Sequence, residues 1–319
     1  MARPSVFIDG HAGTTGLRIH GVLRERPDLE LLTLDDAQRK DPEARRELLN
    51  AADLAVLCLP DEAAREAVSF IENSSTRVLD ASTAHRVAGD WVFGLPELCP
   101  EQRGAIAGAS RVSNPGCYST AVILALRPLL EAGLVPRDAA LSVHGLSGYS
   151  GGGRSEIERW EDPQTGLLMQ PHEVPYALDR VHKHIPEMQL HSGLTRAPHL
   201  VPAKGPFRDG MRLEIPLHAA QLAGGASGKR VWEALQARYV DEAFVQVLPF
   251  REPLDSNDFD FDPRACNGTN RLEIAVTSNP AGHALLLVRL DNLGKGASGA
   301  AVQNLNLMLG LPEGTGLVA

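Results

Sequence analysis

The residue with the clearest chemical potential is Cys117, which directly follows Asn-Pro-Gly at 114–116. Proline fixes φ, glycine tolerates positive φ and asparagine can bond its own backbone, so the chain is predicted to bend there. The apolar run that follows predicts a helix beginning at the cysteine. Unpaired first-turn amides and the positive end of the helix dipole favour a thiolate and offer donors to an oxyanion. This pattern indicates an activated nucleophile, and the alternative is a buried structural cysteine.

A glycine-rich turn near the N-terminus suggests a second kind of chemistry. Residues 5–9 are predicted to form a buried strand and 17–26 a helix, with the turn between them. In that context the backbone can approach a pyrophosphate while a helix N-terminus donates amides to it. The candidate cofactor-binding residues of this turn are Gly10, Gly13, Thr14, Thr15 and Gly16. Since the spacing is G-x-x-G-x-x-G and not G-x-G-x-x-G, a plain tight turn is the alternative.

The residues after the next predicted strand, 29–34, bear on the choice of cofactor. Asp35 and Asp36 follow it, and an acid there accepts hydrogen bonds from a ribose 2′-hydroxyl, which favours NAD. Arg39 and Lys40 come directly afterwards and could neutralise a 2′-phosphate, which favours NADP. The residues alone leave both cofactors open.

The first third of the chain alternates predicted strands with predicted helices. Strands at 53–59 and 77–82 flank a helix at 62–72, which predicts βαβ units and a parallel sheet. Cofactors bind at the carboxyl ends of such strands, where Ser82 lies. Ser82 is therefore a further candidate cofactor-binding residue.

Beyond Gly133 the pattern changes to longer strands. They are predicted at 141–146, 210–216, 272–277 and 283–290, with helices at 231–239 and 297–309. We expect an α/β protein: a Rossmann-type parallel-sheet nucleotide domain plus an α+β substrate domain with a large, mainly antiparallel sheet. The expected boundaries are 1–116 with 296–319 for the NADP-binding domain and 117–295 for the catalytic, substrate and oligomerisation domain.

Composition narrows the class of protein. The chain has 319 residues, 43% of them hydrophobic, and a formal net charge of −9. Such a charge argues against nucleic acid or an anionic membrane as the main partner, and no apolar run approaches the ~18 residues of a membrane span. Four cysteines lack any C-x-x-C pair, so neither a metal site nor a disulfide framework is expected. A cytoplasmic, two-domain protein is predicted.

Several stretches together resemble one family, the N-acetyl-γ-glutamyl-phosphate reductases of arginine biosynthesis, within the aspartate-semialdehyde dehydrogenase-like superfamily. They are 10–16, 113–120, 147–154, 184–188 and 291–306, and the length is similar to the shorter of the family's two forms. The resemblance implies NADP as cofactor, a small-molecule acyl-phosphate substrate and a homo-oligomer, either a dimer or a tetramer.

The resemblance also implies a mechanism. The Cys117 thiolate attacks the acyl phosphate, phosphate leaves, and hydride reduces the thioester to the semialdehyde. A histidine is expected to act as acid and base on the hemithioacetal oxygen. The family's base lies in a Pro-His segment that matches His199, and His184, in its own matching segment, is the runner-up.

Further site residues follow from the same comparison and from anion chemistry. Guanidinium groups match phosphate and carboxylate geometry, so Arg111 is predicted at the leaving phosphate, with Ser147, and Arg154 at the substrate carboxylate. Surface ion pairing is the alternative for both arginines. Asn114 is a further candidate for substrate binding, and the family match places Asn292 near the nicotinamide amide.

Other functions remain open at this stage. Aspartate-semialdehyde dehydrogenase shares the chemistry, but that family has Asn before the cysteine where Gly116 stands here. A reductase of a carrier-bound aminoadipyl or glutamyl phosphate is harder to exclude. From other classes, a non-redox cysteine acyltransferase or hydrolase would need no nucleotide loop, and a nucleotide-sensing protein would need no intact nucleophile.

Overall fold

The computed structural model describes residues 3–35, 37–250 and 260–319. The chain divides into two compact units. The first comprises Met1–Gly116 and Ala297–Val318, and the second is essentially Cys117–Gly296. Asp36, one of the two acids weighed as a ribose ligand, lies outside the described residues.

The first unit is built on a parallel sheet. In chain order, its N-terminal part contains β1 (Ser5–Asp9), α1 (Thr14–Arg24), β2 (Glu30–Leu32), α2 (Pro42–Ala51), β3 (Leu54–Leu57), α3 (Asp61–Ser69), β4 (Arg77–Asp80), β5 (Val92–Phe93), α4 (Gln102–Gly108) and β6 (Arg111–Ser113). The strand order is β2-β1-β3-β4-β6-β5, and every described pairing is parallel. The predicted Rossmann-type sheet is confirmed.

Both faces of this sheet are covered by apolar side chains. Successive residues of a strand point to opposite faces, so Val6 and Ile8 of β1 join one hydrophobic cluster while Phe7 joins the other. This explains why β3 is an unbroken apolar run, buried at all four positions.

The second unit is built on a larger sheet. It contains α5 (Cys117–Glu131), β7 (Ser142–Gly148), α6 (Arg154–Glu161), β8 (Val174–Pro175), α7 (Ile185–Ser192), β9 (His199–Gly205), β10 (Met211–Leu217), α8 (Gly228–Tyr239), β11 (Val245–Val247), β12 (Leu272–Ser278) and β13 (Ala284–Leu290). The order is β11-β12-β13-β10-β7-β9-β8. Within the described residues four pairings are antiparallel, and β7–β9 and β11–β12 are parallel. The mainly antiparallel character is confirmed.

The C-terminal helix belongs to the first unit. A single π-helical stretch, Gly294–Ser298, precedes α9 (Gly299–Met308), so the regular helix begins two residues later than predicted. Val302 and Leu305 of α9 pack into the same cluster as Val6 and Ile8. The hydrophobic core of the first unit therefore combines residues of β1, near the N-terminus, with residues of α9, near the C-terminus.

The described ranges contain no candidate membrane helix and no candidate metal-binding cluster. No helix in them is both long and apolar enough to cross a membrane. In the same ranges, no group of three or more His, Cys, Asp or Glu side chains is placed to hold a metal ion.

Candidate active site

The glycine-rich turn after β1 is sterically restricted. Gly10 has φ +87°, and a Cβ there would lie 2.4 Å from the carbonyl oxygen of Cys58 on the neighbouring chain segment. A Cβ on Gly16 would lie 2.5 Å from the carbonyl oxygen of Gly10. The Gly13 amide closes the turn by donating to Gly10 O at 3.1 Å, and α1 begins at Thr14. Only glycine fits at 10 and 16, and the turn leads into the first turn of α1, whose amides have no partner within the helix.

A cavity of about 510 Å³ opens at this turn, at the carboxyl ends of β1 and β3. Its lining includes the turn, the end of β3 and two cations: Gly10, His11, Ala12, Gly13, Arg39, Lys40, Cys58, Leu59 and Pro60. Asp35 is exposed and does not belong to that lining. The cavity therefore presents positive charge where an adenine ribose phosphate would need it.

Among the described residues of the cavity lining, Asp9 is the acid, and a buried arginine pairs with it. Arg45 donates to both oxygens of Asp9, at 3.0 to 3.3 Å, and also to Glu66. Burial raises the pKa of Asp9 above its ordinary value, and the Arg45 hydrogen bond and charge oppose that effect. Since Arg45 is engaged in this way, the accessible positive charge of the cavity comes from Arg39 and Lys40.

Ser82 is used by the local turn. Its hydroxyl donates to Asp80 Oδ2 at 2.7 Å, and Ser82 Oγ accepts a hydrogen bond from the Ala84 amide at 3.1 Å. His85 also bonds Asp80 Oδ2, through Nδ1 at 2.7 Å. The predicted cofactor contact of Ser82 stays a prediction.

In the second unit, Cys117 is the first residue of α5, as predicted, and is partly exposed. Gly296, in the π-helical stretch, packs directly on it: a Cβ at 296 would lie 2.7 Å from Cys117 Cβ. The sulfur is thus carried by the N-terminal end of a long, almost entirely buried helix. A helix N-terminus is a position that in general favours a thiolate.

Two tyrosines lie beside the nucleophile. The Tyr118 ring packs against Gly145, where a Cβ would lie 2.3 Å from Tyr118 Cε1. The Tyr176 hydroxyl donates to the Tyr118 hydroxyl at 3.5 Å. Burial raises the pKa of both phenols, that of Tyr176 to about 12, and the negative charge of Cys117 raises both further. Both tyrosines are therefore close enough for the charge of Cys117 to affect their pKa, and both phenols are neutral at pH 7.

Two histidines complete this cluster. The His182 ring lies edge-on to the Tyr118 ring at 5.5 Å and to the His184 ring at 4.8 Å between centroids. The His184 backbone amide donates to His182 Nδ1 at 3.2 Å, which leaves the proton of the neutral ring on Nε2. Burial, and then the charge of Lys183, lower the pKa of His182 to about 4. At neutral pH, His182 is an uncharged N–H donor.

A largely buried cation lies against the Tyr176 ring. Lys204 Nζ is 4.6 Å from the centroid of the Tyr176 ring and 2.5 Å from Glu156 Oε2. Both side chains are largely buried, at 13% and 16% exposed. Lys204 is also the register partner of Ser147, whose hydroxyl bonds Tyr118. Lys204 therefore belongs to the surroundings of Cys117.

His199 lies elsewhere in the sheet. It is exposed at the start of β9, where it pairs with Ser142 of β7. Gly145, which the Tyr118 ring contacts, is three residues further along β7, or about 10 Å at ~3.3 Å per residue. The structure brings His182 and His184 to the tyrosines beside Cys117 and does not bring His199 there. The acid–base role of His199 stays a prediction that this placement does not favour.

The two predicted anion-binding arginines are engaged with surface acids. Arg111 begins β6, pairs with Asp90 at 3.1 Å and lies over the Trp91 ring. Arg154 is 77% exposed and pairs with Glu158 at 3.0 Å on α6. Neither contact connects these arginines to the cluster at Cys117, and their substrate roles stay predictions.

Three other predicted site residues are buried polar groups. Ser147 donates to its neighbour's carbonyl, Gly148 O, at 3.1 Å, besides bonding Tyr118. Asn292 donates to Ser150 Oγ at 3.0 Å and accepts the Gly210 amide at 2.7 Å, so it fastens the loop after β7 within the second unit. Asn114 is held inside the first unit by the contacts described below.

The sequence reasoning missed Tyr176, His182, Lys204 and Glu156. His182 had a signal, since His-Lys-His at 182–184 places two imidazoles two residues apart beside a matched segment. The other three had none. Tyr176 and Lys204 come together through the β8–β9 pairing, and Glu156 arrives from α6, so their proximity depends on tertiary structure.

Comparison with known proteins finds a matching family model for each of the two units. Residues 5–106 match the family model described as semialdehyde dehydrogenase, NAD binding domain. Residues 117–292 match the model described as semialdehyde dehydrogenase, dimerisation domain. The boundary between the matches falls between the two units.

Similar sequences span almost the whole chain. An N-acetyl-γ-glutamyl-phosphate reductase from Burkholderia cenocepacia is 52% identical and covers 97% of this chain and 98% of its own length. N-acetyl-γ-glutamyl-phosphate reductase 2 from Pseudomonas putida is 50% identical over 99% of this chain and 100% of its own. The protein of the same name from Nostoc is 49% identical, with 99% and 100% covered.

Solved structures agree on the fold. Aspartate-semialdehyde dehydrogenase II from Vibrio cholerae superposes with a TM-score of 0.73 at 17% identity, covering 97% of this chain and 99% of that one. The aspartate-semialdehyde dehydrogenase from Candida albicans, solved with NADP, gives 0.66 at 16% identity, covering 96% and 98%. At these identities the likeness concerns the fold alone.

Proposed function

The chain belongs to the N-acetyl-γ-glutamyl-phosphate reductase family, an oxidoreductase family acting on an aldehyde group, and from that premise we propose how its residues perform the reaction. The reaction reduces the acyl phosphate of N-acetylglutamate to the 5-semialdehyde and releases phosphate. The observation that carries the mechanism is the placement of Cys117 as the first residue of α5, among neutral phenols and a neutral imidazole.

The first unit is proposed to bind NADP. Its glycine turn fits a pyrophosphate, because a side chain at Gly10 or Gly16 would fill the space where the backbones approach. Arg39 and Lys40 in the cavity fit a 2′-phosphate, and the exposed Asp35 takes no part in the lining. When bound, NADPH supplies the hydride that reduces a thioester carbonyl. Replacing Arg39 with Ala is expected to weaken NADPH binding about tenfold while NADH binding is unchanged.

The second unit is proposed to carry the chemistry. The Cys117 sulfur attacks the acyl carbon, the carbonyl oxygen takes the negative charge, and the C–O bond to phosphate breaks as the thioester forms. After hydride addition the same oxygen is again an anion. It re-forms the carbonyl, the C–S bond breaks, and the aldehyde leaves with Cys117 restored as a thiolate.

His182 is proposed to donate its Nε2 proton as a hydrogen bond to that oxyanion in both steps. With a pKa lowered to about 4, it is neutral at pH 7 and acts as a donor without giving the proton away. This differs from the acid–base role predicted for His199. Replacing His182 with Gln is expected to lower kcat about 100-fold, and replacing His199 with Gln to leave kcat within about twofold. A larger loss in the His199 variant would restore the original assignment.

Lys204 is proposed to hold the anionic end of the substrate. It is a largely buried cation beside the tyrosines, whereas Arg111 and Arg154 pair with exposed acids. Glu156 neutralises Lys204 within the protein, and a substrate carboxylate or phosphate oxygen would share the same ammonium group.

Assembly, domain roles and location are predictions of the same family assignment. The match of 117–292 to a dimerisation domain supports a homo-oligomer in which the second unit makes the contacts. We retain the predicted division, with 1–116 and 296–319 for the cofactor and 117–295 for the substrate, and the predicted cytoplasmic location.

The test is the reverse reaction. Purified protein, N-acetylglutamate semialdehyde, phosphate and NADP are mixed, and absorbance is followed at the NADPH maximum. The expected result is phosphate-dependent NADPH formation that a Cys117→Ala variant loses. Activity with aspartate semialdehyde or with a carrier-bound substrate, but not with this one, would overturn the substrate. Activity without phosphate would overturn the acyl-phosphate product.

A further inference from the structure

Asn114, three residues before the nucleophile, is fully engaged inside the first unit. Its backbone amide donates to Asp80 O at 2.7 Å, and its carbonyl accepts from Arg86 Nε at 2.9 Å. Its side chain donates to Ala297 O at 3.0 Å and accepts from Asn304 Nδ2 at 3.0 Å. With only 1% of its surface exposed, Asn114 is placed to hold the turn and not to meet a substrate.

The direction of these bonds is fixed by two carbonyl groups. Ala297 O can only accept, so the amide nitrogen of Asn114 must face it. The Asn114 oxygen then faces Asn304, whose Nδ2 donates there and also to Gly94 O at 2.7 Å. Flipping either amide would set oxygen against oxygen. A single arrangement of the two amides therefore satisfies the whole chain of bonds.

Gly94 allows Asn304 to reach this position. A Cβ at 94 would lie 2.5 Å from Asn304 Nδ2 and 2.9 Å from Val112 Cγ1. A side chain at 94 would therefore push the Asn304 amide away from Asn114.

Covalent links, one hydrogen bond and one packing contact form a closed path that starts and ends at Asn114 and passes through Cys117. From Asn114 the chain runs through Pro115 and Gly116 to Cys117, whose Cβ packs on Gly296. Gly296 is joined to Ala297, and Ala297 O accepts the bond from Asn114. A shift of Asn114 would consequently move both the residue before the sulfur and the residue packed against it.

We propose that Asn304 on α9 is a positioning residue for Cys117: by orienting the Asn114 amide it fixes the turn that sets the sulfur against the first amides of α5. Loss of the Asn304 donor leaves Asn114 Oδ1 buried without it and frees the turn to rotate. The sulfur then loses part of the helix-terminal stabilisation of its thiolate. The inference rests on the proposed function for its effect on turnover, but not for its effect on the thiol.

The experiment measures the thiol directly, without substrate or nucleotide. The rate of iodoacetamide alkylation of the peptide containing Cys117 is followed by mass spectrometry as a function of pH. Burial raises the pKa of Cys58 to about 12 and that of Cys266 to about 11, which keeps those two thiols unreactive at neutral pH. The variants are Asn304→Ala and Gly94→Ala, which disturb the same amide from two sides.

Asn306 supplies a matched control. It lies two residues along α9, is fully buried, and donates to Glu313 O and Thr315 O at 2.9 Å, away from that closed path. Asn306→Ala therefore removes an equally buried amide from the same helix. The melting temperature of each variant measures how much the substitution reduces the stability of the protein.

For Asn304→Ala and Gly94→Ala, we expect the alkylation midpoint to rise by about one pH unit, a tenfold loss of thiolate at neutral pH. In the same variants kcat is expected to fall about tenfold and the KM for NADP to stay within about twofold. Asn306→Ala should lower the melting temperature without moving the midpoint. An unmoved midpoint in either folded test variant, or an equal shift in Asn306→Ala, overturns the inference. A moved midpoint in a protein without reductase activity would overturn the proposed function instead.

Discussion

The two phenols and the His182 imidazole around Cys117 are largely desolvated, and burial keeps them uncharged. Tyr118 and Tyr176 are kept as neutral phenols because burial raises their pKa, and His182 is kept as a neutral imidazole because burial lowers its pKa. In the proposed mechanism, the thiolate and the developing oxyanion would meet fixed donors instead of mobile water. Lys204, balanced by Glu156, is the cation of this cluster.

Removing the charge of Lys204 should affect substrate binding more than the chemical step. In Lys204→Met we expect the KM for N-acetylglutamate semialdehyde to rise about tenfold with kcat reduced less than threefold, because a charge-assisted bond contributes roughly 1.5 kcal/mol. Steady-state kinetics measure both. Lys229→Met, at an exposed lysine of α8, is the control and should leave KM unchanged. A fall in kcat alone in Lys204→Met would contradict the assignment.

The lowered pKa of His182 predicts a loss of stability in acid. The unfolded chain binds a proton at His182 below about pH 6.5, whereas the folded protein resists it down to about pH 4. The free energy of unfolding should therefore fall as pH drops between these values, and His182→Gln should reduce that fall. Urea unfolding at pH 7 and pH 5 measures it, with His199→Gln as an exposed control. An identical pH dependence in wild type and His182→Gln would show that the ring is not desolvated.

The helix that carries Cys117, α5, lacks one backbone hydrogen bond, and a side chain of α8 supplies the missing donor. Pro128 lies inside α5 and has no amide proton, so it cannot bond the carbonyl of Leu124 four residues earlier. The Tyr239 hydroxyl, from the end of α8, donates to Leu124 O at 2.7 Å. The lost bond of the helix is thereby replaced, and α8 is locked to α5.

A double-mutant cycle tests this repair. Tyr239→Phe should lower the free energy of unfolding by about 1 to 2 kcal/mol, because Leu124 O is left buried and unbonded. In a Pro128→Ala background the helix supplies its own donor, so the same change should cost less than about 0.5 kcal/mol. Urea denaturation of the four proteins gives the coupling. Equal costs in both backgrounds would mean that the hydroxyl has no special link to the proline.

Strands, turns and helices could be predicted where residues within a few positions of one another determine them. The strand at 5–9, its glycine turn and the helix that begins at Cys117 follow from residue types within a few positions. The start of α9 was placed two residues early, because the helical pattern cannot distinguish the π-helical stretch that fits Gly296 against Cys117. Pairing between distant strands cannot be read from local residue types, so the sequence ranked His199 before His184 and did not single out His182.

At the scale of the whole molecule, the residues after α9 make polar contacts with the first unit, to which they belong. Gln303 donates to Glu97 and Glu313, and Arg103 also pairs with Glu313. Asn306 and Arg26 both donate to Thr315 O. These buried and half-buried polar groups depend on residues beyond α9 for their partners.

Truncation after Gly310 should therefore destabilise the first unit. Gln303, Asn306 and Arg26 would each lose partners, at roughly 1 to 3 kcal/mol for a buried unsatisfied group. We expect the free energy of unfolding to fall by about 3 kcal/mol or more in urea, whereas removal of 317–319 alone should cost less than about 1 kcal/mol. Equal stability of both truncated proteins would contradict this role of the segment.

The fold class follows from strand periodicity and from the glycine and cysteine turns, whereas the reaction came from the resemblance of several segments to one family. The substrate contacts of Arg111 and Arg154 stay predictions. Arg111 and Arg154 are the residues that anion chemistry favours, yet their side chains pair with Asp90 and Glu158 at the surface. Lys204 carries no motif and gains its position only from the pairing of β9 with β7 and β8.

The most direct test of the account is to detect the acyl group on Cys117. The protein is incubated with N-acetylglutamate semialdehyde and NADP without phosphate, quenched in acid, and mapped by peptide mass spectrometry. We predict an N-acetylglutamyl adduct on the peptide containing Cys117, which disappears when phosphate is added and never forms in Cys117→Ala. Turnover in Cys117→Ala, or an adduct on a different residue, would contradict the thioester mechanism.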